Sequence, residues 1–470
     1  MILLVLLVDC VVGLALLGSL RWLRRQSGDI GFVVTLGVAV RAVLGLGLFW
    51  VSYLNLPILR SLQLGNGFWS VMIDATQYHA VASRAVESGL SSIAPGSASP
   101  FYTKLLSLWM RAVGMGPAAG LFLNICVFVG VCMLLVRLFR PTGQRRTDLP
   151  LLVVLLALSF LPGLIINATQ PLKDDVFLAL ILLMCVAARA LFRSMVGANG
   201  GVQWGAWGVG LAALVAIMYG VAGIRGYYAI IAWACFIVSL PAIVLLPPRR
   251  HTVARTTAAV LVPVAVWLGY WAGSGSYYWP NAADPEQVAL ESQADDRRLS
   301  PSTTFGEVSR LIDTARRGFV TSPGDTSLAP VSEVHPDPGG VVERSRLTAL
   351  VIGVCAVVVP ISVLKAVSIV QFDGGRGLLP ISDIDTALMD LSLVALCWLT
   401  VRRRHLIGRD GGFVFFVLVL AVTTTALLSY VVTNFGTMFR LRYMAVAPLW
   451  TLALAIRPKL SSCAPEASVR

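Results

Sequence analysis

The chain consists of long apolar runs separated by short polar segments, and the runs are long enough to cross a membrane. They are about 17–25 residues long, carry few charges, and do not alternate apolar with polar positions as barrel strands would. Such runs predict an all-α polytopic membrane protein. The runs lie at 1–20, 30–53, 117–138, 150–167, 176–192, 204–223, 226–247, 256–273, 347–370, 384–400, 411–433 and 441–456.

Arg clusters at the ends of the runs predict the topology. The clusters are RWLRR (21–25), RPTGQRR (140–146), PPRRHTVAR (247–255) and VRRRH (401–405). Because cytoplasmic loops are rich in Arg and Lys, placing these clusters inside puts 54–116 and 274–346 outside. All four clusters fall inside only if 347–383 returns to its own side as a re-entrant segment. We therefore expect about eleven spans, with a large first extracytoplasmic loop.

Composition supports this class. Of 470 residues, 57% are hydrophobic and 13% charged, with a net charge of +13, which excludes a soluble enzyme, a disordered chain and a nucleic-acid-binding domain. Eight Cys without metal-type spacing predict neither a zinc site nor a disulfide framework. The first run lacks a basic segment before it, so we expect a retained helix in a multi-pass protein of the plasma (inner) membrane.

Three parts follow from this topology. Residues 1–273 form a transmembrane bundle that includes the outer loop 54–116. Residues 274–346 form a second extracytoplasmic loop that is rich in acidic residues, Pro, Ser and Gly. Residues 347–470 contain the re-entrant segment and the last transmembrane helices.

The first outer loop contains a candidate for acid–base chemistry, MIDATQYHAVASRAVESGL (72–90). Asp74 and Tyr78 are four apart and share one face of a predicted amphipathic helix. A carboxylate just outside the membrane can act as a general base towards a hydroxyl, and His79 could do similar work. The alternative is that Asp74 only caps the helix, and the two roles are compatible.

The turn TQPLKDDVF (169–177) compresses three charges between two spans. Lys173 could bind a lipid phosphate as a point charge. Asp174 and Asp175 could orient it or hold a divalent cation such as Mg²⁺ or Mn²⁺. The alternative for all three is helix capping and snorkelling at the membrane surface.

Three Arg residues oppose the positive-inside tendency. Arg225, Arg440 and Arg442 lie at outer span ends, where they either bind phosphate or anchor headgroups. Arg41 lies inside the second span, and a charge within the membrane is by default a functional candidate.

DATQYH (74–79), QPLKDD (170–175) and NFGTMFRLRYMAVAP (434–448) resemble motifs of the GT-C superfamily of polyprenyl-phosphate-sugar-dependent glycosyltransferases. The nearest resemblance is to bacterial relatives of the dolichyl-phosphate-mannose mannosyltransferases. It implies a GT-C-like fold and an inverting sugar transfer on the extracytoplasmic side. Asp74 would deprotonate the acceptor hydroxyl, and Lys173, Arg225, Arg440 and Arg442 would hold the donor phosphate.

The implied partners are a polyprenyl-phosphate-sugar donor, membrane lipids and a glycan, lipid or protein acceptor, without nucleic acid. No cofactor is assigned. No metal ligands are assigned, because Asp74 lacks the acidic neighbour that many family members have. Three alternatives remain: a polysaccharide polymerase or ligase using Arg residues, a transporter or flippase of lipid-linked sugars, and a non-catalytic assembly subunit. Arg41 is the feature that most favours a transporter.

Overall fold

The structure is a computed structural model that describes residues 2–93, 99–140, 148–195, 202–245, 252–278, 346–367, 379–402, 410–431 and 435–456. Its helices are α1 Ile2–Gln26, α2 Gly28–Tyr53, α3 Asp74–Ser88, α4 Pro100–Val113, α5 Ala118–Phe139, α6 Leu149–Phe160, α7 Pro162–Ala168, α8 Asp174–Met195, α9 Trp204–Ile224, α10 Gly226–Leu245, α11 Thr252–Tyr278, α12 Arg346–Val358, α13 Ile361–Ala366, α14 Leu379–Arg402, α15 Gly411–Val431, α16 Phe435–Leu441 and α17 Tyr443–Ala455.

The predicted all-α, multi-pass membrane architecture is confirmed. Within the described ranges, eight helices are long and apolar enough to cross a membrane, and the bent pair α6/α7 brings the number to nine. The expected number of about eleven is not confirmed. The apolar part of α10 covers only Gly226–Ala242, and α17 has only 13 residues with Pro448 inside it.

Helix α8 is the centre of the bundle, and α1 lies at its edge. In the most apolar window of each helix, 72% of the α8 residues are buried but none of the α1 residues. Helix α8 packs against α9, α17 and α5, and α1 packs mainly against α2. Apolar side chains left exposed along a spanning helix face lipid. The charged residues at the start of α8 are therefore surrounded by other helices.

The loop 54–116 folds into a small subdomain. Strand β1 (Gln63–Gly65) pairs antiparallel with β2 (Phe68–Trp69). Asn66 and Gly67 join the strands, both with positive φ, 52° and 87°, as tight hairpins require. Helix α3 then packs on α4 through residues spaced three and four apart, namely Ala75, Tyr78, Ala82 and Ala85.

The predicted span 150–167 is broken. Helices α6 and α7 meet at Leu161 with a bend of 52°, because Pro162 cannot continue the hydrogen bonding of α6. Residues 169–173 then connect α7 to α8. This turn lies so close to α5 that a Cβ on Gly120 would overlap Pro171.

The expected re-entrant segment 347–383 is described in part. It contains α12 and α13, which are separated by a break at Pro360, and residues 368–378 lie outside the described ranges. Most of the expected outer loop 274–346 also lies outside them.

Candidate functional site

Charged residues from four separate parts of the chain meet at one end of the bundle. Asp74 is the first residue of α3, Lys173 and Asp174 stand at the start of α8, Arg225 follows α9, and Arg440 lies near the end of α16. We call these five residues the charged cluster. It brings together five of the residues that the sequence analysis selected.

The ion pair between Asp74 and Arg440 joins the subdomain formed by 54–116 to the last part of the bundle. Both terminal guanidinium nitrogens of Arg440 donate to Asp74 Oδ2, each at 2.9 Å. The Asp74 side chain is 35% exposed and that of Arg440 is 21% exposed, so solvent and solutes can reach the pair. Ile73 occupies the capping position of α3 without a side-chain bond, and the Asp74 carboxylate is therefore engaged with a cation as well as starting the helix.

Asp174 lies between two guanidinium groups. Arg225 Nη2 donates to Asp174 Oδ1 at 2.5 Å, and Arg440 Nη1 lies 4.0 Å from Asp174 Oδ2. The side chains of Asp174 and Arg225 are each 8% exposed. Arg225 also donates to the hydroxyl of Tyr227 at 3.0 Å. These contacts hold two Arg side chains in place around one carboxylate.

Lys173 is the cation of the cluster with the weakest hold on its proton. Its ammonium donates to Ser99 Oγ at 2.5 Å and lies 5.3 Å from the ring centre of Tyr78. Burial, and then the positive charge of Arg225, lower the pKa of Lys173 to about 7. An anion placed beside Lys173 would favour its charged form.

Tyr78 and His79 follow Asp74 on α3 but differ in their surroundings. Tyr78 is buried, and burial followed by the charge of Asp74 raises its pKa to about 12, so it is a neutral hydroxyl at neutral pH. His79 Nε2 donates to the carbonyl of Met115 at 3.0 Å, and burial lowers the pKa of His79. His79 thus ties α3 to the segment before α5 rather than joining the charged cluster.

Arg442 lies apart from the cluster. It forms a buried ion pair with Asp385 of α14 and donates to Thr386 Oγ1 at 2.5 Å. The hydroxyl of Tyr443 donates to the same carboxylate at 2.6 Å. Asp385 was not among the candidate residues, although a charge within the apolar run 384–400 is the same signal that marked Arg41.

Asp175 and Arg41 line a separate internal cavity of about 20 Å³, which is large enough for about one water molecule. Asp175 is 8% exposed and Arg41 is 2% exposed. The Oδ2 atom of Asp175 has no hydrogen-bond partner within the protein. Both residues were candidates from the sequence, and the structure brings them together at this cavity.

The cluster has three cationic and two acidic side chains, and each carboxylate forms an ion pair with an Arg side chain. Among the described residues, no group of three or more His, Cys, Asp or Glu could hold a metal ion. Asp74 and Asp174 both lie next to Arg440, a donor set that suits an anion better than a divalent cation. What the arrangement can do chemically is bind a phosphate beside a partly exposed carboxylate.

Comparisons with known proteins identify no relative: no family model matches the chain, and neither the curated proteins nor the solved structures contain a match.

Proposed function

We propose that this protein is an integral-membrane glycosyltransferase that moves a sugar from a polyprenyl-phosphate donor to an acceptor hydroxyl on the extracytoplasmic side. The observation that carries the proposal is that Lys173, Arg225 and Arg440 meet in one cluster, in which Arg440 pairs with Asp74, a carboxylate that a second substrate can reach. The motif resemblance of the sequence points to the same chemistry.

In the proposed reaction, Asp74 removes the proton of the acceptor hydroxyl as the acceptor oxygen attacks the anomeric carbon. The bond between that carbon and the phosphate oxygen breaks, and the bonding electrons leave with the polyprenyl phosphate. Negative charge therefore grows on the phosphate in the transition state. Cations fixed beside it stabilise the transition state more than the bound donor, and this difference accelerates the reaction.

The ion pair of Asp74 with Arg440 determines the order of steps in the proposed reaction. A donor phosphate would compete with the carboxylates for Arg440, because both are anions that a guanidinium binds through two hydrogen bonds. Asp74 would then be released towards the acceptor. Donor binding before acceptor activation follows from this arrangement.

The contacts of Arg41 bear on the transporter alternative. Its guanidinium donates to the carbonyls of Leu158 and Ser159, so a structural role accounts for the charge within the membrane. The glycosyltransferase proposal therefore remains the better supported of the two.

The proposal can be tested in a deletion strain that carries the wild type, Asp74→Asn or Glu87→Gln, by mass spectrometry of envelope glycans and lipid-linked sugars. Glu87 is an exposed carboxylate on the same helix and serves as the matched control. We expect wild type and Glu87→Gln to restore a glycan, and Asp74→Asn to leave it one sugar short while the donor lipid accumulates. Full complementation by Asp74→Asn would refute the role of Asp74. Accumulation of oligosaccharide-diphosphate lipid instead would favour a polymerase or ligase.

A further inference from the structure

The break between α6 and α7 leaves two backbone carbonyls without their helical donors. The carbonyl of Leu158 would accept from residue 162, but Pro162 has no N–H. The carbonyl of Ser159 would accept from Gly163, whose N–H instead donates to Asp385 Oδ1 at 2.7 Å. Backbone groups that lack a partner are costly at membrane depth.

Arg41 supplies the missing donors from α2. Its Nη2 donates to the carbonyl of Leu158 at 2.5 Å, and its Nη1 donates to that of Ser159 at 2.9 Å. The guanidinium carbon also lies 4.0 Å from the ring centre of Phe128. The planar fork of an Arg matches two adjacent carbonyls, which a Lys ammonium cannot do equally well.

Asp385 holds the other side of the break. Asp385 accepts a hydrogen bond from the N–H of Gly163, the second residue of α7. The Asp385 carboxylate is itself held by Arg442 and Tyr443. Asp385 is 0% exposed. Two charged residues from two different helices thus satisfy the groups that the break exposes.

We propose that Arg41 and Asp385 are positioning residues that clamp the α6/α7 break and thereby place Lys173 and Asp174 in the charged cluster. Only residues 169–173 connect α7 to α8, so a change in the direction of α7 moves Lys173. The clamp concerns the structure of the protein and involves no substrate. The effect of the clamp on donor binding rests on the proposed function.

A double-mutant cycle tests the clamp without any substrate. In purified protein in detergent, Arg41→Met is expected to lower the Tm by about 4–8 °C, because two carbonyls lose their donors. In a Pro162→Ala background, the restored N–H can serve Leu158, and the loss caused by Arg41→Met should fall to about half. Pro241→Ala in α10 is the matched control and should leave that loss unchanged.

The conservative variant Arg41→Lys keeps one donor and should lose about half as much Tm as Arg41→Met. If Arg41→Met does not fold, Arg41→Lys takes its place in the double-mutant cycle. Equal Tm losses in the wild-type, Pro162→Ala and Pro241→Ala backgrounds would overturn the clamp.

The reactivity of Lys173 reports its position, which a general loss of stability would not change in the folded fraction. The chain has only four Lys residues, at 104, 173, 365 and 459, so acylation of each can be followed by mass spectrometry as a function of pH. The midpoint for Lys173 should lie near pH 7 in the wild type and rise by more than one pH unit in Arg41→Met and Asp385→Asn. An unchanged midpoint in both variants would contradict a positioning role. Neither readout needs a sugar donor, so failure of the proposed transfer reaction would leave this test valid.

Discussion

Donor binding should depend on pH through Lys173. Because its pKa lies at about 7 in the free protein, Lys173 is about half charged at pH 7. A phosphodiester keeps a single negative charge across neutral pH, and placed beside Lys173 it favours the ammonium form. Binding of the donor must therefore take up a proton wherever Lys173 is neutral beforehand.

The sign and size of the effect follow from this pKa. Below pH 7, Lys173 is already charged and the affinity is nearly constant. Above pH 7, part of the binding free energy is spent on protonation. With a pKa of about 7, the dissociation constant should be about tenfold larger at pH 8 than at pH 6, and about half a proton should be taken up at pH 7.

Titration calorimetry with a short-chain polyprenyl-phosphate-sugar measures both quantities, if it is repeated in buffers of different ionisation enthalpy. Lys173→Arg stays charged throughout and should bind without this pH dependence. Lys104→Met, a change to a lysine of α4 outside the charged cluster, is the matched control and should behave as the wild type. A constant affinity of the wild type between pH 6 and pH 8, or the same pH dependence in Lys173→Arg, would show that donor binding does not depend on protonation of Lys173.

Two further predictions separate the fold from the site. Gly120→Ala should push the 169–173 turn away from α5, because the new Cβ would overlap Pro171, and should lower the free energy of unfolding by about 1–3 kcal/mol. Gly130→Ala on the same helix, with open space around it, should leave the Tm unchanged. Equal Tm values for the two variants would contradict this packing. Asp410→Asn should lower the Tm without changing donor affinity, because Asp410 is buried against Arg189 and Arg193, at 3.4 Å and 2.7 Å, and loss of one partner of such a pair costs up to about 3–5 kcal/mol. A changed donor affinity in a folded Asp410→Asn protein would show that this pair is coupled to the charged cluster.

The sequence was informative about which residues lie in the charged cluster but not about how they pair. Lys173, Arg225 and Arg440 were selected because they oppose the positive-inside tendency or crowd a short turn. Their partners depend on tertiary packing. Asp74 and Arg440, for example, are 366 positions apart, and no local pattern relates them.

Arg440 and Arg442 show why similar sequence positions can have different roles. Both were expected to bind phosphate. Side chains two residues apart on a helical segment point in different directions, and here one reaches Asp74 while the other pairs with Asp385. Two Arg residues at one span end therefore serve two separate parts of the protein.

The apolar runs predicted the architecture more reliably than the number of spans. A run shows only that a segment can be buried in lipid or protein. It does not reveal where a Pro shortens or bends the helix, as at Pro162 in the α6/α7 break. Arg41 indicated that polar partners lie within the bundle, because a charge within a span needs partners. Only the fold shows that these partners are carbonyls of α6.

The most direct test of Asp74 as the general base of a glycosyl transfer is a single-turnover reaction of the purified protein in nanodiscs, with a radiolabelled polyprenyl-phosphate-sugar and an envelope glycan extract as acceptor. We expect wild type and Glu87→Gln to release polyprenyl phosphate at equal rates. We expect Asp74→Asn to bind the donor but to release its phosphate at least about 100-fold more slowly. Release by Asp74→Asn at the wild-type rate would contradict the assignment of Asp74 as the general base of a glycosyl transfer.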